Sequence, residues 1–375
     1  MYLLSSRIPA WSRALGAKLP VRNSTRAFLL SLTLLSPTVL ATETPDLLKQ
    51  TIAEIRTEYQ LPALSVAVIT SGKLVYAGGA GYLDDEQQVA VTEETTFRIA
   101  SISKLFTAQA IMQLAEAGKL NLSDPVSAYL PEFEGSSITI SQLLTHTSGI
   151  KDKVRPAGGA DHRSQTNYFS LIKAQAIPET GTHPFAYSDT GFNLLGAVVS
   201  AVSGVPFAQY VQKHILVPSQ MRHSGYYDGE TGSAPSALPT YQGKVLTEAQ
   251  RRPFDPNFYP CEGLVSNAED LGLWLSATLK QSPSLLHASS YAQMLEPRAK
   301  TPWGDIRVGL AWQVYEKDGR FIARHPGSVR GYKSLLISYP QERNGLVILT
   351  NAAKAPRFEI ADKLTQTLRD EGTWP

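Results

Sequence analysis

Residues Thr96–Lys104 read TFRIASISK, and a strong helical pattern follows at once. Leu105, Ala108, Met112 and Ala115 recur at helical spacing along one face, with Ile111 and Leu114 beside it. The spacing predicts a helix over 102–117, stopped by Gly118. Its start holds S-x-x-K, which sets Ser101 and Lys104 on one helix face at i and i+3. A serine hydroxyl is a poor nucleophile until a neighbouring base takes its proton. A lysine amine serves as that base when burial or nearby cations lower its pKa. A helix N-terminus also favours negative charge forming there. From these four residues alone, an ordinary helix cap with a solvated lysine is the better reading. The chain holds a second S-x-x-K, Ser170–Lys173, read as a chance match on a helix surface.

Before this stretch, residues 45–59 form an amphipathic helical pattern through Leu47, Leu48, Ile52 and Ile55. Two strand-like runs follow, Ala63–Thr70 and Lys73–Tyr82, joined by the turn signal Ser71-Gly72, which predicts a hairpin. After it, roughly 105–300 is mainly helical pattern broken by polar loops, with an irregular Gly-, Pro-, Ser- and Tyr-rich excursion over 228–260. Strand character returns in Gly309–Tyr315, Arg320–Arg324, Tyr332–Tyr339 and Gly345–Asn351, and a last helix spans about Phe358–Leu368. Strands at both ends with helices between predict an α/β (α+β) fold. One sheet lobe draws on about 42–104 and 300–375, and a helical lobe of about 105–299 is inserted between them.

The chain has 375 residues and 43% hydrophobic composition, ample for a packed core. One cysteine, Cys261, excludes an intramolecular disulfide and a cysteine-based metal cluster. A net charge of +2 makes no case for nucleic-acid binding. No G-x-S-x-G, H-E-x-x-H, Walker A loop or full G-x-G-x-x-G occurs, and the histidines lack ligand spacing for a metal. No organic cofactor is implied.

Two further elements bear on Ser101. Tyr187-Ser188-Asp189 sits in a polar loop that enters an apolar helix, where a phenol can carry protons beside a Ser–Lys pair. His325-Pro326-Gly327-Ser328 lies between strand-like runs, and glycine there permits close approach of a substrate backbone. Each alone is equally well read as structural: a buried tyrosine with its hydroxyl satisfied, and a strand-end histidine.

With these motifs in order, the chain resembles the penicillin-recognising serine hydrolases, most closely their class C β-lactamase-like branch. S-x-x-K stands at 101–104, Y-x-[N/D] at 187–189 and [K/H]-x-G at 325–327. The flanks Ala117–Phe133, Leu143–Ile150 (LLTHTSGI) and Gly263–Leu273 (GLVSNAEDLGL) match as well, so the resemblance covers about 45–370. It implies an antiparallel sheet with flanking helices packed on a helical lobe, with the active site between them. By the same resemblance Ser101 is the acylated nucleophile, and Lys104 and Tyr187 share general base and acid duty. The backbone N–H groups of Ser101 and Ser328 form the oxyanion hole, a device worth about 2.7–4 kcal/mol per donor in other enzymes. Gly327 lies against the substrate, and His325 takes the place of the lysine that opens the third motif in β-lactamases.

Two departures shape the expected substrate. Asp189 stands where the family usually has asparagine; ionised, it holds Lys104 protonated and shifts proton transfer towards Tyr187. His325-Pro326 replaces Lys-Thr, and a histidine is mostly neutral at pH 7, so the permanent cation for an antibiotic's carboxylate is missing. Arg330 is a candidate substitute cation. Proline in that strand fits only an edge lining the cleft. The resulting expectation is a serine hydrolase acting on small-molecule esters or short peptides through an acyl-enzyme. A true β-lactamase and a penicillin-binding sensor without turnover are the alternatives.

The N-terminus reads as a leader. Arg7, Arg13, Lys18, Arg22 and Arg26 precede the first acidic residue, Glu43. Ala27–Ala41 (AFLLSLTLLSPTVLA) is apolar but shorter than the ~20 residues of a spanning helix. Small residues at Val39 and Ala41 predict signal-peptide cleavage after Ala41, leaving a hydrolase domain over 42–375, exported to the periplasm or secreted. A basic organelle transit peptide is the alternative. No other apolar stretch is long enough for a transmembrane span.

Overall fold

The structure, a computed structural model, describes residues 43–84, 86–152, 154, 164–174, 181–227 and 234–375. The expected leader over 1–41 lies outside these residues. An eight-stranded antiparallel sheet is built from β1 (Ala63–Thr70), β2 (Lys73–Gly81), β3 (Ala299–Lys300), β4 (Arg307–Val308), β5 (Gln313–Lys317), β6 (Arg320–Val329), β7 (Tyr332–Tyr339) and β8 (Asn344–Thr350). Its order is β2-β1-β8-β7-β6-β5-β4-β3, so the N-terminal hairpin pairs with the last strand of the chain, Leu64 opposite Thr350. The β1–β2 hairpin closes through Ser71 and Gly72, both at positive φ, the geometry that matches the twist of two-residue hairpins.

Period-two alternation explains why this sheet sits in the middle of the fold. On β1, Ala63, Ala67 and Ile69 face one core, and Leu64, Val66 and Val68 face a second. The second core is closed by α1 (Glu43–Glu58), through Leu48, Ile52 and Ile55, and by α5 (Arg357–Asp370), through Ile360, Leu364 and Leu368. Full burial of each such aliphatic side chain contributes about 1.5–3 kcal/mol. The other face packs on α4 (Ala268–Leu279) and, beyond it, on α2 (Ser103–Glu116) and α3 (Asp189–Ser203).

The last third of the chain departs from expectation at two points. Gly309–Trp312 is a tight bend and not part of a strand: Gly309 N–H donates to the Trp312 carbonyl at 2.8 Å and Ala311 sits at φ +70°. The following strand therefore begins at Gln313. β6 runs five residues past Arg324 to Val329, through Pro326. β5 pairs with it only as far as Arg324, so residues 325–329 have β7 on one side and an open edge on the other. That edge tolerates the missing proline N–H.

Candidate active site

Ser101 lies in a 3-10 turn, Ala100–Ile102, immediately before α2. Ala100 is held at φ +51°, a strained conformation for a residue with a Cβ. Buried Ser103 locks the turn: its Oγ donates to the Ala100 carbonyl at 2.7 Å and accepts from Leu264 N at 3.1 Å. From the sheet, Ser334 Oγ donates to the Ile99 carbonyl at 2.7 Å. A Cβ on Gly327 would stand 2.3 Å from that carbonyl and 2.1 Å from Ser334 Oγ. Only glycine lets β6 run this close to the turn that carries Ser101.

α2 is buried nearly all round, Lys104 included, in place of the single buried face that the spacing predicts. Lys104 Nζ donates to Asp189 Oδ1 at 2.7 Å, to the Cys261 carbonyl at 2.9 Å and to Ser101 Oγ at 3.4 Å. Burial alone works to lower the lysine pKa, but the adjacent Asp189 carboxylate overrides it and holds the ammonium well above its usual range. Asp189 opens α3, capped by Ser188, where the helix dipole favours its negative charge. Its own N–H donates to Asp152 Oδ1 at 2.7 Å.

The Tyr187 hydroxyl interacts with both Ser101 and Lys104, and burial pushes its pKa up, so it is a neutral phenol at pH 7. His146, from the LLTHTSGI segment, fixes its place. The imidazole stacks on the Tyr187 ring with centroids 4.5 Å apart. The His146 carbonyl accepts from Ala186 N at 2.8 Å and Nδ1 accepts from Ser188 N at 3.1 Å, gripping the chain on both sides of the tyrosine. Burial drives the His146 pKa far below the ordinary histidine range.

These groups open into a cleft of about 600 Å³ that Ser101, Tyr187, Asp189, His325 and Ser328 all line. His325 is buried, and burial, with the Lys104 charge adding, pushes its pKa down to about 3. Its Nδ1 lies 2.9 Å from the Pro326 carbonyl, so that nitrogen carries the proton of a neutral imidazole. Arg330 is not among the residues lining this cleft; it borders a separate basic pocket. That corrects the expectation of Arg330 as the substitute cation. Arg324 and Arg357 occupy the cleft wall in its stead, with Trp303 and Phe358 at the rim. Among the described residues neither arginine has a carboxylate within salt-bridge distance. Arg324 Nε donates to Gln313 Oε1 at 3.2 Å, and its guanidinium lies 4.5 Å from the Phe358 ring centroid. Arg357 donates to the Gly327 carbonyl, and burial, with Arg324 beside it, pushes its pKa down to about 10.

Ser170 and Lys173 are exposed on the helix Gln165–Ala174, as expected of a chance motif. Asp189, Cys261 and Glu262 each bring one potential ligand atom within 4.8 Å of the others. The two carboxylates are already committed, Asp189 to Lys104 and Glu262 to Arg252, so the trio forms part of an ion-pair network. Among the described residues, no single helix is long and apolar enough to cross a membrane.

Comparison with known proteins bears on the family and the fold. The family model described as Beta-lactamase matches residues 48–369. A relative from Bacillus subtilis (strain 168), described as "Putative penicillin-binding protein PbpX", is 30% identical over 310 residues, 81% of this chain and 74% of its own. Protein flp of Staphylococcus aureus (strain MW2) is 26% identical over 326 residues, 83% of this chain; the match spans only 63% of flp. The octameric penicillin-binding protein homologue from Pyrococcus abyssi superimposes with a TM-score of 0.74 at 28% identity, covering 87% of this chain and 77% of that one.

Proposed function

The chain belongs to the beta-lactamase family, and on that premise we propose that it is a serine hydrolase forming an acyl-enzyme at Ser101 with small esters or short peptides. The observation that carries this reading is the convergence of Ser101, Asp189 and Tyr187 on one cleft, with the buried Lys104 hydrogen-bonded to Ser101 and Asp189.

The protonation states define the chemistry. Lys104 is an ammonium and Tyr187 a phenol, so neither is a free base at rest. Tyr187 acts as a shuttle: its oxygen takes the proton of Ser101 Oγ while its own O–H proton passes to the leaving atom. The phenol is neutral before and after, and the Oγ–carbonyl carbon bond forms as the leaving-group bond breaks. The Lys104 ammonium steadies the charge developing on Oγ, and the Ser101 and Ser328 N–H groups receive the oxyanion. Water then enters by the same route in reverse and frees the acid.

Arg324 and Arg357 select substrates carrying a carboxylate away from the scissile bond, since guanidinium forks match that group. A neutral His325 makes the third motif a poor anchor for a β-lactam carboxylate. The ion pair that keeps Lys104 charged also favours a second reading, a protein acylated by β-lactams without turnover. The N-terminal pattern adds export from the cytoplasm to the proposal. Labelling with a fluorophosphonate probe tests the nucleophile: wild type labels, and Ser101→Ala and Lys104→Ala do not. Turnover of p-nitrophenyl esters supports the hydrolase, whereas labelling with no turnover of esters, nitrocefin or D-amino-acid peptides leaves the sensor.

A further inference from the structure

Outside the Ser101 cleft, a cavity of about 460 Å³ is lined by Arg98, Arg251, Arg252 and Arg330. Three separate segments bring them together. Arg98 belongs to the two-residue strand Phe97–Arg98, three positions before Ser101. Arg251 and Arg252 lie in an extended stretch between two 3-10 turns, Glu248–Gln250 and Pro256–Phe258. Arg330 precedes Gly331, whose φ of +87° makes the tight turn from β6 to β7.

The carboxylates on the wall do not balance this charge. Four guanidiniums face two carboxylates, Asp255 and Glu262, and Glu262 pairs with Arg252. Among the described residues, Arg98, Arg251 and Arg330 have no carboxylate within salt-bridge distance. Arg98 Nη1 donates to the Arg252 carbonyl at 2.7 Å and the guanidinium lies 4.2 Å from the Phe254 ring centroid, while its Nε is buried without a hydrogen-bond partner. Burial lowers the Arg98 pKa, and the nearby Glu262 charge only partly opposes it. Phe254, Phe258 and Tyr259 add apolar surface. A smaller adjoining cavity of about 150 Å³ repeats Arg98, Arg251, Arg252 and Arg330 and deepens the site towards Tyr332.

We propose that this pocket is a binding site for an oxyanion, carboxylate or phosphate, carried on an aromatic or apolar body. Guanidinium forks accept both head groups in bidentate geometry, and the aromatic wall receives the body. The site shares no lining residue with the Ser101 cleft and does not depend on the reaction proposed there.

Isothermal titration of the purified protein with phenyl phosphate, benzoate and neutral benzyl alcohol, in 0.1 M salt, tests the proposal. At least one of the two anions is expected to bind, and to bind at least tenfold more weakly to Arg251→Ala/Arg330→Ala. Arg330 is exposed and Arg251 only half-buried, so this variant is expected to keep the wild-type circular dichroism spectrum. Arg324→Ala/Arg357→Ala, which disables the cationic wall of the Ser101 cleft, is expected to retain the affinity. Tighter binding of phenyl phosphate identifies a phosphate ligand, and tighter binding of benzoate a carboxylate. The proposal is overturned if neither anion binds, if benzyl alcohol binds as well as they do, or if affinity is lost only in Arg324→Ala/Arg357→Ala.

Discussion

Replacing Asp189 by asparagine removes one negative charge 2.7 Å from Lys104 Nζ and leaves the shape of the site nearly unchanged. At an effective dielectric constant of about 20, that pair is worth about 6 kcal/mol, or roughly four pKa units on the lysine. Burial, which opposes the charge in the native protein, is then no longer overridden, and Lys104 titrates below its unfolded value of 10.5. Two consequences follow, with opposite value to the protein. At low pH the buried ammonium has lost its partner, and stability falls by about 3–5 kcal/mol. As pH rises through the lowered folded pKa the lysine sheds its proton while the unfolded chain keeps it. Stability therefore recovers with pH by up to about 1.4 kcal/mol per unit, until the unfolded lysine titrates as well. The neutral amine formed in that range is a competent base for Ser101. The p-nitrophenol burst of Asp189→Asn therefore gains an alkaline limb absent from wild type, and urea titrations from pH 6 to 10 show the gap to wild type narrowing. A gap that stays constant, with no new limb in the burst rate, would refute the view that Asp189 holds Lys104 protonated.

Three other outcomes are expected. Gly327→Ala places a methyl group against the Ile99 carbonyl and Ser334 Oγ, so β6 must move away from the Ser101 turn. A loss of about 1–3 kcal/mol in chemical denaturation, with a larger proportional loss in acylation rate, checks this. His325 and His146 both have depressed folded pKa values, so the stability they allow is complete above the unfolded value of 6.5 and declines as pH falls below it. Each contributes a slope approaching 1.4 kcal/mol per pH unit; between pH 6 and 5 the slope of His325→Asn should be lower than that of wild type by about that amount, and an unchanged slope counts against buried, neutral His325. Arg357→Ala should raise KM for an ester whose leaving group carries a carboxylate by about tenfold to a hundredfold, from the 1.5–3 kcal/mol of a charged hydrogen bond. Its KM for the neutral analogue should hardly change, and equal effects on both would remove the carboxylate assignment.

The sheet was legible where apolar strand-like runs meet a turn that has few solutions. Ala63–Thr70, Ser71-Gly72 and Tyr332–Tyr339 carry their own pattern, and the observed strands keep it. Short pairs such as Phe97–Arg98 with Val265–Ser266 are set by a partner more than 160 positions away and leave no local trace. The same distinction divides the site. S-x-x-K and Y-x-D announce themselves through spacing and residue type. Arg324 and Arg357 do not, because one is the neighbour of a motif residue on a strand and the other begins the final helix. Alternation puts Arg324 and His325 on opposite faces of β6; they share a cleft only because β5 stops pairing at Arg324 and the cavity wraps round the freed edge. His146 sits in the LLTHTSGI segment, but its stacking beneath Tyr187 depends on a left-handed backbone, φ +57°, that residue type does not signal.

The most direct test of the account is to catch the covalent species. Rapid-quench mixing with a p-nitrophenyl ester, followed by peptide mass mapping, should find one acyl group on the hydroxyl of Ser101, and no adduct in Ser101→Ala. Hydrolysis that proceeds with the acyl group on another residue, or undiminished in Ser101→Ala, would contradict it.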